Sequence, residues 1–278
     1  MGASMNARVP VNPGGVAGSL SVPTDTKWRA EQVIWIRHWT PTLISFRTTR
    51  AEAFRFVPGH YARLGMVDTL GNAIWRPFSM VSAADDDFLE FLLVLVPGGD
   101  FSARLAALKV GDAIMVEKLS YGFLTVNQLA PGNDLWMLSS GTGLGPFMSI
   151  LRDPDSWRSF DHLILVHSVR RAEELAYRQD IEAMRDSAAA TGARADLRYI
   201  PIVTREQEPG MLHARIPQLI IDGRLEGAAD VPLEVRHSRA MVCGNPELAR
   251  DMRSLLTARG FVTSRRGALG QMAFEKYW

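Results

Sequence analysis

The 278-residue sequence predicts an antiparallel β-barrel followed by a doubly wound α/β domain built on a parallel sheet. Three observations carry that reading. From Trp28 to about residue 125, short apolar runs alternate with turn residues, as strands of an antiparallel barrel do. The character changes at Ala130-Pro131-Gly132-Asn133. Beyond it, short apolar runs alternate with helical stretches, the pattern of βαβ units.

In the first half Gln32-Val33-Ile34-Trp35-Ile36, Leu43-Ile44-Ser45-Phe46 and residues 88–96 read as strands. Pro58-Gly59, Leu70-Gly71-Asn72 and Pro97-Gly98-Gly99 read as turns or loops. One short helix is expected over 103–108, with Ser102 as its N-cap. In the second half the expected strand and helix pairs are 135–138 with 147–151, 163–166 with 172–184, and 241–242 with 247–259. Asn245-Pro246 supplies a favoured N-cap and first-turn proline for the last helix. Residues 1–24, rich in Gly, Pro, Ser and small apolar types, read as a flexible tail and not a signal peptide. The expected divisions are therefore 1–24, 25–130 and 131–278, without internal repeats.

Composition narrows the class. Hydrophobic residues make up 47% and charged residues 22%, as in soluble globular proteins. A net charge of +1 excludes a strongly basic nucleic-acid binder but permits local patches. One cysteine, Cys243, excludes a disulfide framework, a four-cysteine iron–sulfur cluster and a cysteine-rich zinc site. No metal is expected. No apolar run approaches the roughly 20 residues of a membrane helix. The expectation is a cytoplasmic monomer with no membrane or nucleic-acid partner.

Several segments carry chemistry. Arg76-Pro77-Phe78-Ser79 combines a planar cation suited to phosphate, an aromatic face and a hydroxyl. Gly98-Gly99-Asp100-Phe101-Ser102 places glycines before a helix N-terminus, where free N–H groups suit an anion; a helix cap with strand core explains the same residues. Ser140-Gly141-Thr142-Gly143-Leu144-Gly145-Pro146 is a glycine-rich turn between strand and helix. It can cradle a pyrophosphate, or its glycines can serve tight packing. In Met241-Val242-Cys243-Gly244-Asn245-Pro246 the cysteine reads as a buried, inert thiol in preference to a nucleophile, since no His/Asn pattern supports covalent catalysis. Arg170 and Arg205 follow apolar strand ends, and Arg215 begins another segment. Tyr277 and Trp278 are two large aromatics that something flat and apolar would hold; a surface plug is the plainer alternative.

In this order the segments resemble those of the bacterial ferredoxin/flavodoxin–NADP reductases, over about Lys27 to Trp278. The resemblance implies an FAD-binding barrel, an NADP-binding α/β domain, and electron exchange between NADP(H) and ferredoxin or flavodoxin through flavin N5. It implies Arg76 on the flavin diphosphate, the Pro77-Phe78 segment against one isoalloxazine face, and Ser79 near N5. Phe78 replaces the usual tyrosine, which keeps stacking and loses a phenol hydrogen bond. Leu92, Leu93 and Val94 would line the ribityl side, Phe101 and Ser102 the diphosphate, and Thr142 both nucleotides. Tyr277 would cover the opposite flavin face and yield to nicotinamide, with Trp278 on the adenine. Gly141, Thr142 and Gly143 would receive the NADP pyrophosphate, and Arg170, Arg205 and Arg215 the 2′-phosphate. Cys243 and Gly244 would lie beside the nicotinamide, with Glu275 in the same cavity. The implied catalytic set is Ser79, Cys243, Glu275 and Tyr277. An oxygenase's flavoprotein component, a free-flavin reductase, or a non-enzymatic NADP(H) sensor are the alternatives. Seven arginines from Arg236 to Arg266, against Glu247 and Asp251, suggest a patch for an acidic carrier, led by Arg265 and Arg266.

Overall fold

The computed structural model describes residues 27–276, so the tail and the Tyr277-Trp278 pair lie outside the described residues. Six antiparallel strands form the first half: β1 (Trp28–His38), β2 (Leu43–Thr49), β3 (Tyr61–Val67), β4 (Ala73–Ser79), β5 (Phe88–Val94) and β6 (Ala113–Glu117). Their order is β4-β3-β6-β1-β2-β5. A bridge between Met80 and Phe91, with Val81 N–H donating to the Glu90 carbonyl at 2.8 Å, joins the two outer strands and closes the barrel. The two-residue period of β5 sorts its side chains. Leu89, Phe91 and Leu93 fill the barrel, while Leu92 packs into the core shared with the second half. Pro77 sits on β4, the last strand in the row, where its missing N–H costs little.

The predicted short helix starts earlier than its sequence reading. Helix α1 is Asp100–Ala106 with Gly99 as N-cap, because Gly98 at φ +74° reverses the chain immediately after Val96-Pro97. Ser102 is therefore not the N-cap. Its Oγ accepts the Val96 N–H at 2.9 Å and ties the turn to the helix.

The second half has five parallel strands: β7 (Asp134–Ser140), β8 (His162–Val169), β9 (Asp196–Val203), β10 (Ser238–Gly244) and β11 (Met272–Lys276), in the order β11-β10-β7-β8-β9. The helices are α2 (Gly145–Leu151), α3 (Pro154–Ser159), α4 (Arg178–Thr191), α5 (Ile216–Ile221), α6 (Arg224–Ala229) and α7 (Pro246–Ala258). Alternate residues of β7 face opposite layers. Leu135 and Met137 pack with Phe147 and Ile181, and Trp136 and Leu138 with Leu219, Leu225 and Met252. Burial on both faces explains why these strands read as continuous apolar runs. The chain winds from β7 outward to β9, then crosses to β10 on the other side of β7. The β7/β10 boundary is thus the topological switch point, where such sheets receive ligands. Among the described residues no helix is long and apolar enough to cross a membrane.

The helix predicted over 172–184 is broken. Ala172–Glu174 is a short 3-10 turn, Tyr177 is left-handed at φ 58°, and α4 begins only at Arg178. The physical reason is long-range: the Tyr177 hydroxyl bonds to the barrel, and helical periodicity does not register such a partner. Asn245 does cap α7, its Oδ1 accepting the Leu248 N–H at 2.8 Å.

The connection between the halves is held by Arg239, which is 6% exposed. Its guanidinium donates to the carbonyls of Ala130, Pro131, Val235 and Ser238. A Cβ on Gly132 would lie 2.7 Å from Arg239 Nε, so the chain passes too close for a side chain. Replacing Arg239 with Ala strands buried carbonyls and should cost about 2–4 kcal/mol. Thermal unfolding should show a correspondingly lower midpoint; an unchanged midpoint would mean that Arg239 does not hold the connection.

Candidate active site

The barrel and the parallel sheet meet at the end of β4. Ser79, 3% exposed, donates from Oγ to Glu275 Oε1 at 2.8 Å. Glu275 stands on β11 directly beside Cys243 on β10, which is fully buried. The sequence therefore folds three of the four implied catalytic residues into one junction, drawn from three strands. Burial pushes the Glu275 carboxyl up to about 7, against the opposing hydrogen bond from Ser79.

On the barrel side, Arg76 and Pro77 are exposed, and Phe78 is half-buried with its ring 5.6 Å from the buried Phe101 ring. Arg76 Nη1 donates to the Trp75 carbonyl at 2.8 Å. Phe101 thus backs Phe78 from the core. Leu92 and Leu93 are also buried, whereas Val94 is exposed and reaches the cleft described next.

The two readings of the glycine-rich turn divide by residue. A Cβ on Gly143 would stand 2.2 Å from the Cys243 carbonyl oxygen, so Gly143 serves close packing of the turn on β10. A Cβ on Gly244 would meet Ser140 Oγ at 2.1 Å for the same reason. Gly141, by contrast, has φ +55°, is exposed, and would meet nothing within 4 Å. It opens onto a cleft of about 430 Å³. Gly141, Thr142, Arg170, Arg205 and Arg215 all line this cleft, with Val94 contributed by the barrel. Arg170 follows β8 and Arg205 follows β9, so their backbones leave the carboxyl ends of neighbouring strands, and Arg205 N–H donates to the Arg170 carbonyl at 2.9 Å. Arg215 occupies the N-cap position of α5, and its side chain pairs with Glu247 of α7. A cleft with three guanidinium groups and exposed turn backbone fits the phosphates of a dinucleotide.

The expected basic patch needs correction. Of its seven arginines, Arg239 is buried on the carbonyls described above. Arg259 points inward to Glu226 and the carbonyls of Leu233 and Ile220. Their bonds are spent within the fold, because each lies where a loop must be fastened to the sheet. Arg265 and Arg266 are exposed. Sequence reading also missed Glu247 as the Arg215 partner and the polar contacts of Tyr177 with the barrel; the partners lie 32 to 132 residues away and leave no local pattern.

These features define a two-domain oxidoreductase of the flavin and nicotinamide type. Residues 37–120 match the oxidoreductase FAD-binding domain family, and residues 137–254 the oxidoreductase NAD-binding domain family. The chain is 37% identical to ferredoxin–NADP reductase A of Sorangium cellulosum over 88% of each protein. It is 36% identical to the flavodoxin/ferredoxin–NADP reductase of Escherichia coli, over 90% of this chain and 99% of that one. A ferredoxin NADP+ reductase from Neisseria gonorrhoeae, solved with bound FAD and NADP, superposes with a TM-score of 0.85 at 36% identity, over 91% of this chain and 100% of that one. The chain belongs to the bacterial ferredoxin/flavodoxin–NADP reductase family.

The raised Glu275 value has a thermodynamic consequence. The folded protein holds a proton that the unfolded chain releases at its ordinary value of 4.5, so stability falls as pH rises from about 4.5 to about 7. Glu275→Gln lacks this dependence. Melting curves should show the wild type losing stability relative to the variant across that window. Parallel curves would contradict the raised value.

Proposed function

We propose that this protein is an FAD-dependent reductase that exchanges electrons between NADP(H) and ferredoxin or flavodoxin. The observation that supports it best is the placement of a three-arginine cleft at the switch point, adjoining the junction of Ser79, Cys243 and Glu275. The names of the related reductases support the choice of carrier. When bound, FAD supplies acceptance of a hydride and release of electrons one at a time.

This chain's residues supply position and polarity. Arg76 and the Ser102 region bind the flavin diphosphate, and Phe78, backed by Phe101, provides a flat wall for the ring. Leu92 and Leu93 stiffen the β5 wall behind the ribityl side, where Val94 is presented. Ser79 orients the ring edge, and Glu275 holds a proton at its carboxyl within reach of the Ser79 hydroxyl. Tyr277 and Trp278, outside the described residues, are assigned to the ring and the adenine by the family resemblance alone. Gly141 and Thr142 receive the pyrophosphate, with Gly143 and Gly244 letting the turn close on β10. Arg170, Arg205 and Arg215 select the 2′-phosphate, and Cys243 shapes the wall beside the nicotinamide. Arg215 exchanges its Glu247 partner for phosphate when NADP(H) enters. We place the domain division at residues 130/131, and the protein in the cytoplasm as a monomer.

The test is NADPH-driven reduction of cytochrome c. Activity should depend on added ferredoxin or flavodoxin; activity with free flavin alone would favour the free-flavin reductase, and FAD binding without turnover the sensor. Replacing Arg205 with Ala should raise the KM for NADPH by about 10-fold or more, the worth of one charged hydrogen bond, and leave NADH use nearly unchanged. Equal losses with both nucleotides would refute the assignment of Arg205.

A further inference from the structure

A second polar contact, separate from the redox junction, ties the two domains together. Tyr177 lies between the 3-10 turn and α4 in the left-handed region at φ 58°, a conformation that costs a non-glycine residue roughly 1 kcal/mol or more. It is only 2% exposed. Its hydroxyl lies 2.6 Å from Ser45 Oγ on β2 and 2.7 Å from Glu90 Oε1 on β5. A carboxylate only accepts, so the phenol donates to Glu90 and receives the Ser45 hydroxyl proton. Ser45 in turn accepts from Trp39 Nε1 at 2.9 Å. The Trp39 and Tyr177 rings touch, with centroids 4.8 Å apart. Burial and the Glu90 charge push the phenol well above its ordinary value, which keeps it protonated as this arrangement needs.

The other oxygen of Glu90 binds two arginines. Arg152, at the end of α2, and Arg47, on β2, both donate to Oε2 at 3.2 Å. Arg152 also donates to the Val81 carbonyl at 2.8 Å, two residues beyond Ser79. Ser149 of α2 donates to the Ser82 carbonyl at 2.8 Å. Helix α2 itself follows the turn whose Gly143 packs on the Cys243 backbone. Both sides of the redox junction therefore lead, through a few bonded groups, to the same buried carboxylate. An apolar interface of similar area would bury as much surface yet allow sliding. Directional bonds to a buried ion fix one arrangement.

We propose that Tyr177 is a positioning residue for hydride transfer: seated in the Ser45–Glu90 socket of the barrel, it locks the parallel-sheet domain in the one docking that sets Ser79 against Cys243 and Glu275. This rests on the reductase reading above. The strained backbone is retained because the residue's hydroxyl is held by the opposite domain. Tyr177 is not itself among the residues that line the three-arginine cleft, so the effect predicted is on the rate of transfer and not on nucleotide affinity.

The experiment compares full-length, FAD-loaded wild type with Tyr177→Phe, which removes one oxygen and keeps the ring. NADPH-to-ferricyanide turnover should fall about 10- to 100-fold, the effect of a small misplacement of reacting groups, while the KM for NADPH stays within about twofold. The charge-transfer absorbance of NADP+ with the reduced flavoprotein should weaken, with FAD content unchanged. Should Tyr177→Phe not fold, Ser45→Ala, which opens the socket from the other side, should show the same split between kcat and KM. A variant that melts earlier but keeps wild-type kcat and charge-transfer absorbance would overturn the proposal and leave the reductase reading intact. Wild type that binds no FAD, or is not reduced by NADPH, would overturn both.

Discussion

The structure depends on how its two sheets are docked. One apolar core runs through both: Leu43, Val81, Leu92 and Leu124 from the barrel side pack with Leu135, Met137 and Phe147 of the parallel-sheet side. Neither domain closes its own surface without the other. Into this apolar seam the fold sets one buried carboxylate, Glu90, with two arginines and a tyrosine around it. Removing Glu90 would leave Arg152 and the Tyr177 hydroxyl without the acceptor they share, which is costlier than losing a surface ion pair. The seam is thus held by area and oriented by charge.

The chemistry of the site follows from the same burial. A carboxyl in water would ionise well below neutrality. At the junction, desolvation of Glu275 outweighs the hydrogen bond it accepts from Ser79, its donor among the described residues, so its value reaches about 7. Because Ser79 comes from the barrel and Glu275 from the parallel sheet, the pair exists only while the domains hold their docking. The arginine cleft lies on the same side of the sheet, at the strand ends where β7 parts from β10. On the function proposed above, binding of phosphate and handling of a proton fall to separate places, joined by the glycine-rich turn.

Much of this was legible in the chain. The two fold halves, the strand–turn–helix at Ser140–Pro146, the Asn245 cap and the placement of Arg170 and Arg205 after strands all depend on local pattern. What local pattern does not carry is contact across the seam. Tyr177 sits in a stretch with helical periodicity, and only a hydroxyl partner 132 residues away explains why the helix stops there. Arg239 and Arg259 look like surface charges by composition, yet each is consumed by backbone carbonyls. Ser102 satisfied the preferences of an N-cap, but Gly98 turned the chain early and placed it within the first turn of α1. Whatever Gly143 offers a phosphate, the 2.2 Å approach of a Cβ there to the Cys243 carbonyl oxygen gives it a packing role that no local pattern reveals.

The most direct test of the account is anaerobic mixing of the FAD-loaded protein with NADPH while the flavin's visible absorbance is followed. On the proposed function the three-arginine cleft receives the nucleotide and the Ser79–Glu275 junction the flavin ring, so bound flavin should bleach rapidly with stoichiometric NADPH, and much more slowly with NADH. Tightly bound FAD whose spectrum NADPH leaves unchanged would contradict it.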